Sequence, residues 1–297
     1  MLDITKVKNP MLNLMPDIAL RDPEAVYHEG VFYLYYTHVD VRHDDVTSTL
    51  HMCTSEDLVN WTPSRELFGG PESFCAPGNV FRHHGKWVMS LQSYPMVPGR
   101  NWGGEDSRLY LSESDDLLNW STPRVMAAEG AQHKFNESRR QIDPYVVVEG
   151  DRAWCFYKSE GELGLLLSED GLATWSEALI DRPAVGRGHM PGNVTVENPY
   201  VLRMGDEWWM FLSPCSEPRA LGLTKSKTMT DWPPVEYLNF PPPAWGTKGP
   251  TAPAILDTRD VCGKWTMFFH SEQYGTSGHE AAMGVAFSDD LLNWDCP

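Results

Sequence analysis

The chain alternates hydrophobic and polar residues in a pattern that predicts β-hairpins, and the first copy is RDPEAVYHEGVFYLYYT, residues 21–37. A first strand ends in the polar turn 28–30, and an aromatic second strand follows at 32–36. Asp22 stands before a proline, whose ring disfavours helical backbone in the preceding residue. We therefore expect Asp22 in extended backbone at the mouth of the first strand.

The same plan returns four more times, in CAPGNVFRHHGKWVMS, IDPYVVVEGDRAWCFY, ENPYVLRMGDEWWMF and TAPAILDTRDVCGKWTMFF. The prolines of the five copies lie 54, 67, 55 and 54 residues apart, at Pro23, Pro77, Pro144, Pro199 and Pro253. A serine-containing turn followed by tryptophan trails each copy in the same phase, at Trp61, Trp120, Trp175, Trp232 and Trp294. Two independent markers with one period indicate a five-fold repeat.

Each repeat contains two strands, a third strand that ends in the serine turn and, in several copies, a short fourth strand. Four-stranded units of about 40 to 50 residues, repeated radially, are typical of β-propeller blades. The sequence thus predicts an all-β fold, a five-bladed β-propeller of four-stranded antiparallel blades, as a single domain over residues 1–297. A solenoid fits poorly because each unit contains hairpin turns. Since only three residues follow Trp294, we expect residues 1–17 to complete blade five.

The net charge of −17 argues against nucleic acid as a partner, because nucleic-acid binding depends on Lys and Arg that neutralise phosphates. It argues equally against an anionic membrane surface, and the apolar runs are too short to span a bilayer. The polar start MLDITKVKNP does not resemble a signal peptide, which favours a cytoplasmic protein unless a leader has been removed. The six cysteines include no C-x-x-C pair, so we expect free buried thiols rather than disulfides or a zinc site.

Differences between the copies carry the candidate chemistry. Asp22 and Asp143 precede the prolines of repeats one and three, and Glu197 stands two residues before the proline of repeat four. Equivalent positions of a propeller face its axis at the same end, so we expect these three acids to converge. Like charges at close range raise one another's pKa values and cost stability, which favours a functional origin. The alternative is that Asp-Pro only starts a strand and that the glutamate is a solvated edge residue.

Hydrolysis of a glycosidic bond uses two carboxyl groups, one as acid for the leaving oxygen and one as base or nucleophile on the opposite face. The series Asp-Pro, Ala-Pro, Ile-Asp-Pro and Glu-x-Pro in repeats one to four resembles the glycoside hydrolases of family 43 and their relatives, which are five-bladed propellers. The resemblance implies that Asp22 is the general base, Glu197 the general acid and Asp143 the residue that tunes and orients the acid. It also implies an inverting glycosidase for an arabinofuranoside, a xyloside or a similar sugar.

Departures from the family pattern fall near the expected sugar contacts. Asn198 replaces a glycine after the acid, Cys75 replaces a tryptophan and has Phe74 beside it, and Ala252 stands where many members have a histidine. In the family that histidine lies beside a central ion, and His270 is a candidate substitute for it. The chemistry requires no cofactor, and the resemblance leaves open a structural calcium ion at the propeller centre.

The chain also offers contacts for a small oligosaccharide or glycoside substrate. One long loop places an indole beside a guanidinium at residues 100–102, a usual sugar platform, and an imidazole precedes the strand of the candidate acid. The substrate-binding candidates are Arg21, Phe74, Trp102, His189 and His270. Taken singly, the loop residues are more commonly ordinary surface residues.

Other functions remain as alternatives. One is a non-catalytic carbohydrate-binding propeller, which would gain nothing from three converging acids. Another is a propeller glycoside phosphorylase or fructosidase relative, and the phosphorylase is disfavoured because no basic cluster for phosphate stands out. The sequence contains no nucleophile elbow, phosphate-binding loop or zinc-protease motif.

Overall fold

The computed structural model describes residues 1–12, 17–42, 46–97, 103–215, 220–240, 242–246, 248–272 and 281–297. The strands are β1 (Ile18–His28), β2 (Val31–Asp40), β3 (Thr47–Ser55), β4 (Arg65–Phe68), β5 (Phe74–His83), β6 (Lys86–Ser93), β7 (Leu109–Ser114), β8 (Arg124–Val125), β9 (Ile142–Glu149), β10 (Arg152–Ser159), β11 (Glu162–Ser168), β12 (Ser176–Glu177), β13 (Val196–Met204), β14 (Glu207–Pro214), β15 (Gly222–Ser226), β16 (Glu236–Tyr237), β17 (Lys248–Thr258), β18 (Lys264–Glu272) and β19 (Ala281–Ser288). Helical segments within these residues are short: α1 (Arg259–Cys262) and the 3-10 helices Ile4–Lys6, Arg187–His189 and Pro191–Asn193. No helix in the described ranges has the length and apolar character to cross a membrane.

The strands form three four-stranded antiparallel sheets, β5 to β8, β9 to β12 and β13 to β16, and one seven-stranded sheet in the order β17-β18-β19-β1-β2-β3-β4. Within the larger sheet, β1 and β19 meet in parallel at a single residue pair, Ala19 and Ala281. The pairs on either side of this junction are antiparallel. The prediction of an all-β chain with four-stranded antiparallel sheets is confirmed.

The five prolines of the repeats meet around one narrow cavity of about 20 Å³. The residue before each proline has a positive φ of 42° to 52°, and the hairpin register shifts at each of these steps. The expectation that Asp22 is extended is therefore wrong, since its φ is 48°. A β-bulge places an extra residue in the first strand, and the surrounding hydrogen bonds hold that residue in the left-handed region.

Neighbouring sheets are joined by hydrogen bonds in which a side chain shortly after one of the prolines is the donor or the acceptor. These bonds are Val80 N–H to Glu24 Oε1 at 2.9 Å, Asn79 Nδ2 to Val146 O at 2.8 Å, Tyr145 Oη to Val201 O at 2.9 Å and Tyr200 Oη to Ile255 O at 2.6 Å. The tryptophans of the serine turns pack between sheets, with ring centroids 5.7 Å apart for Trp120 and Tyr35. Apolar contacts and buried hydrogen bonds together fix each sheet against the next.

The outer edge of β19 is covered by both ends of the chain. The Asn9 side chain donates to the Val285 carbonyl and accepts its N–H, each at 2.8 Å, so that one amide imitates strand pairing. Met11 N–H donates to the Met283 carbonyl at 2.9 Å. From the C-terminal side, Asp295 and Phe287 exchange two backbone hydrogen bonds. All six cysteines are free thiols, but only four of them are buried as expected, since Cys215 and Cys296 are half-buried.

Candidate active site

A cavity of about 730 Å³ lies at the end of the first strands where the bulges occur. Asp22, Asp143 and Glu197 all line it, although they come from three different repeats. Its remaining charged lining consists of Arg21, Arg140, Lys158 and Glu272, with His270 beside them. The structure therefore brings the three predicted acids together in one polar pocket of a size that suits a small ligand.

Asp22 is held from both sides by neighbouring strand ends. Its backbone N–H donates to His270 Nδ1 at 3.1 Å, and Thr37 Oγ1 donates to its carboxyl at 3.1 Å. The side chain is 23% exposed, through the cavity. Burial, reinforced by the negative charge of Asp143, raises the pKa of Asp22 to about 7. Asp22 can therefore exchange a proton near neutral pH.

Asp143 has polar neighbours from the repeats on both sides of its own. Its own N–H donates to Gln92 Oε1 at 2.6 Å, and the backbone N–H of Asn198 lies near its carboxyl. Burial raises the pKa of Asp143, the charge of Lys158 opposes that shift, and Glu197 adds to it. Asp143 thus acts electrostatically on both other acids.

Glu197 lies on β13 and accepts two donors at the same oxygen. Lys158 Nζ is 2.7 Å and Cys215 Sγ 2.9 Å from its Oε2. The side chains of this lysine and glutamate are only 12% and 16% exposed. Burial by itself would lower the pKa of Lys158, but the charge of Glu197 and its hydrogen bond, together with Cys215 and Asp143, outweigh burial and hold that pKa above its usual range. The pair is consequently an ion pair with little solvent screening.

The family model of the glycosyl hydrolases family 43 matches residues 7–279 of the chain. The chain belongs to this family. No curated protein matches it by sequence. Membership makes the chain a glycosidase, and its sheets have a β-propeller-like arrangement.

Solved structures of low sequence identity share the fold of this family 43 chain. A thermostable family-43 glycoside hydrolase is 17% identical with a TM-score of 0.66, over 98% of this chain and 96% of that chain. An α-L-arabinanase of Cellvibrio cellulosa complexed with arabinohexaose is 15% identical with a TM-score of 0.65, over 95% and 96%. The catalytic domain of a family 62 α-L-arabinofuranosidase from Coprinopsis cinerea is 14% identical with a TM-score of 0.69, over 98% and 97%.

Two of the predicted substrate-binding residues line the cavity of this family 43 chain. Arg21 forms an ion pair with Glu272 at 2.5 Å, and His270 is buried beside Asp22. The sequence predicts that the Arg21 guanidinium contacts the substrate, whereas in the structure it has a carboxylate partner of its own, Glu272.

Two of the other candidates, Phe74 and His189, do not line the cavity. Phe74 packs in an apolar cluster with its ring 4.9 Å from that of Tyr110, and its neighbour Cys75 faces the cavity instead. His189 lies in a 3-10 helix between β12 and β13 and accepts the N–H of Gly186. Trp102 lies outside the described residues.

Several residues of the cavity were not predicted from the sequence. Lys158 and Cys215 contact the candidate acid, and Arg140 donates to Tyr94 Oη at 2.8 Å while its guanidinium lies over that ring. Lys158 could have been found, because it occupies the same place in β10 that His270 occupies in β18. Tyr94 and Arg140 come from connections outside the repeat pattern, which gave no signal for them.

The central calcium ion does not fit the donors that the axis offers. Of the five residues that directly precede the prolines, only Asp22 and Asp143 are carboxylates. The other three are Ala76, Asn198 and Ala252. In the part of the chain described here, no group of three or more His, Cys, Asp or Glu side chains could hold a metal ion. Since calcium takes about six to eight oxygen ligands, no step of the proposed mechanism is routed through it.

Proposed function

We propose that this glycosidase inverts the anomeric centre of its substrate, with Asp22 as general base and Glu197 as general acid. The observation that carries the proposal is that these two carboxyls and Asp143 line one cavity in different surroundings. Asp22 has no cation in direct contact among its described hydrogen bonds, whereas Glu197 contacts an ammonium. Two carboxyls in different surroundings can take opposite proton-transfer roles, and the family pattern of Asp-Pro and Glu-x-Pro assigns the base to Asp22 and the acid to Glu197. Because its ammonium contact favours the carboxylate, Glu197 acts as the acid from the fraction of molecules in which it is protonated.

In the proposed mechanism, Asp22 removes a proton from a water molecule as that water attacks the anomeric carbon. Glu197 gives a proton to the glycosidic oxygen as the bond between this oxygen and the anomeric carbon breaks. Asp143 acts through its charge on the proton affinity of both groups. An inverting site of this kind keeps the two carboxyls roughly 6.5 to 9.5 Å apart, leaving room for the water.

For the substrate, we favour a short arabinofuranoside or xyloside. The support is indirect, since two of the similar structures are named an α-L-arabinanase complexed with arabinohexaose and an α-L-arabinofuranosidase. A cavity of about 730 Å³ has room for a small glycoside, which is compatible with action on a short substrate.

We also propose that the scaffold is a single ring of five blades. In this interpretation the seven-stranded sheet comprises blade one, β1 to β4, and blade five, β17 to β19. The N-terminal segment would complete blade five through the bonds of Asn9 and Met11 to β19. The meeting of all five prolines at one axial cavity supports this count.

A panel of aryl glycosides tests the proposed function, starting with α-L-arabinofuranoside, β-xyloside, β-galactoside and a β-fructoside analogue. We expect turnover of one of the first two glycosides and loss of this turnover in Asp22→Asn. Glu197→Gln should lose less on these aryl substrates, because their leaving groups need little protonation, and the control Glu24→Gln should turn over like the wild type. Proton NMR at early time should show the inverted anomer. A retained anomer would instead make Asp22 a nucleophile, as expected of a fructosidase relative.

Phosphorolysis is a second candidate because the cavity contains three cations that the sequence did not bring together, Arg21, Arg140 and Lys158. Hydrolysis is favoured because two of them are already in ion pairs, with Glu272 and Glu197. Adding inorganic phosphate distinguishes the reactions. A hydrolase releases free sugar at a rate that does not depend on phosphate, whereas a phosphorylase forms sugar phosphate. A carbohydrate-binding propeller without catalysis would bind the glycosides and turn over none of them.

A further inference from the structure

One position in the second strand has the same structural role in four of the five repeats. The side chain at this position accepts the backbone N–H of the residue before the next proline. The four bonds run from Ala76 N to Thr37 Oγ1 (2.8 Å), from Asp143 N to Gln92 Oε1 (2.6 Å), from Ala252 N to Ser213 Oγ (2.9 Å) and from Asp22 N to His270 Nδ1 (3.1 Å). Each bond joins successive repeats and holds a residue of positive φ in place.

Lys158 occupies this position in the third repeat, and an ammonium cannot accept a hydrogen bond. The N–H of Asn198, which lacks this acceptor, lies near the Asp143 carboxyl and favours its charged form. Lys158 instead places its Nζ 2.7 Å from Glu197 Oε2 and 3.2 Å from Cys215 Sγ. A residue that breaks the structural rule of its own repeat is a candidate for function.

The contacts of Glu197 fix how its carboxyl is oriented. Its Oε2 accepts from Lys158 and from the Cys215 thiol, and two donors on one oxygen restrict rotation of the carboxyl plane. Two other acids, Asp143 and Asp22, are close enough for the charge of Glu197 to affect their pKa values, and Arg140 lies beside Asp143. These are the charged and titratable groups that face Glu197 in the described residues.

Lys158 and Asp143 act on Glu197 in opposite directions. A negative Asp143 favours the protonated glutamic acid, whereas an ammonium in direct contact favours the carboxylate that remains after proton transfer. We propose that Lys158 is a positioning residue that makes Glu197 a stronger acid and moves the pH optimum of the reaction to lower pH. This inference rests on the proposed role of Glu197 as general acid.

Replacing the ammonium tests the inference through the pH profile of kcat/KM on an unactivated glycoside. In Lys158→Met we expect the optimum to move up by about 0.5 to 1.5 pH units, because a close charge shifts a pKa by about 1 to 3 and the optimum is the mean of two limbs. The loss of turnover should be larger for poor leaving groups than for nitrophenol, since a weaker acid protonates the leaving oxygen less. Lys158→Arg should retain the optimum of the wild type. Asp143→Asn should move it to lower pH.

Ser213→Ala is the matched structural control, because it removes a scaffold bond at the equivalent position without removing a charge. It should leave the pH optimum unchanged. If Lys158→Met melts too early for kinetics, Lys158→Gln replaces it, because glutamine removes the charge and can accept the Asn198 N–H.

Two results contradict different parts of this account. An unchanged optimum in both neutral variants of Lys158, with Glu197→Gln inactive, would overturn the role of Lys158 alone. Full activity of Glu197→Gln on the unactivated glycoside would overturn the proposed acid and, with it, the inference.

Discussion

Asp22 and Glu24 are separated by one proline, and burial raises the pKa of both, to about 7 and about 8. Asp22 opens onto the large cavity, next to Asp143 and within the field of Glu197. Glu24 is 2% exposed, and its Oε1 accepts the N–H of Val80 from the next repeat. Its Oε2 has no hydrogen-bond partner among the described residues.

The contrast between these two carboxyls shows that a raised pKa alone does not identify a catalytic group. Glu24 is shifted by burial and has only backbone N–H groups as opposing influences. Asp22 is shifted by burial and by a second acid, and it can be reached by substrate. Access and charged neighbours therefore separate a proton-transfer group from a structural one.

Neutralising each carboxyl in turn should give the largest difference between them. We expect Asp22→Asn to lower kcat on an active glycoside by about a hundredfold or more, because the attacking water loses its base. Glu24→Gln should keep kcat within about twofold of the wild type, as is usual for a change that does not touch the reacting groups. Steady-state kinetics with thermal melts of both variants provides the measurement. Equal losses of kcat in the two variants would contradict the distinction between a catalytic Asp22 and a structural Glu24.

The pH dependence of stability should distinguish the wild type from Glu24→Gln. The folded pKa of Glu24 lies above its ordinary value of 4.5, so the protonated form favours folding. This stability is fully present below pH 4.5 and is lost as pH rises towards about 8. We expect the Tm of the wild type to fall by several degrees more than that of Glu24→Gln between pH 5 and pH 8.5, because each tenfold difference in proton affinity between the folded and unfolded chains contributes about 1.4 kcal/mol. Parallel Tm curves for the two proteins would argue against a buried, protonated Glu24.

Changes at the edge of β19 should have a smaller effect, which lowers stability and leaves activity unchanged. Removing residues 1–14 should lower the Tm by several degrees, because it uncovers the edge that Asn9 and Met11 now bond. Asn9→Ala should account for part of this loss, with KM unchanged, since Asn9 does not line the cavity. An unchanged melting temperature after the deletion would contradict a closing role for the segment.

The alignment of the five repeats on their prolines explains how much of the site could be predicted from the sequence. Aligning the prolines was enough to bring Asp22, Asp143 and Glu197 together, because equivalent residues of a repeat occupy equivalent places. The same alignment extended to the second strands would have shown Lys158 at the position of His270. Only the residues around the prolines were compared between the repeats. Lys158 lies in a second strand and was therefore not predicted.

The errors come from interactions that local patterns do not encode. The extended backbone expected for Asp22 failed because a bulge and a hydrogen bond from its own N–H to His270 hold the positive φ. Phe74 was assigned to the substrate, but strand alternation turns its ring into the core and leaves Cys75 facing the cavity. The contact between Cys215 and Glu197 depends on the pairing of two strands and is not visible along the chain.

The response of the two carboxyl variants to leaving-group quality tests the central claim most directly. Glu197→Ala should lose about a hundredfold or more on an unactivated glycoside but keep much of its activity on a nitrophenyl glycoside, which departs without a proton. Asp22→Ala should lose activity on both substrates alike, because water must be activated whatever leaves. Identical responses of the two variants, or undiminished turnover in both, would contradict the assignment of Glu197 as acid and Asp22 as base.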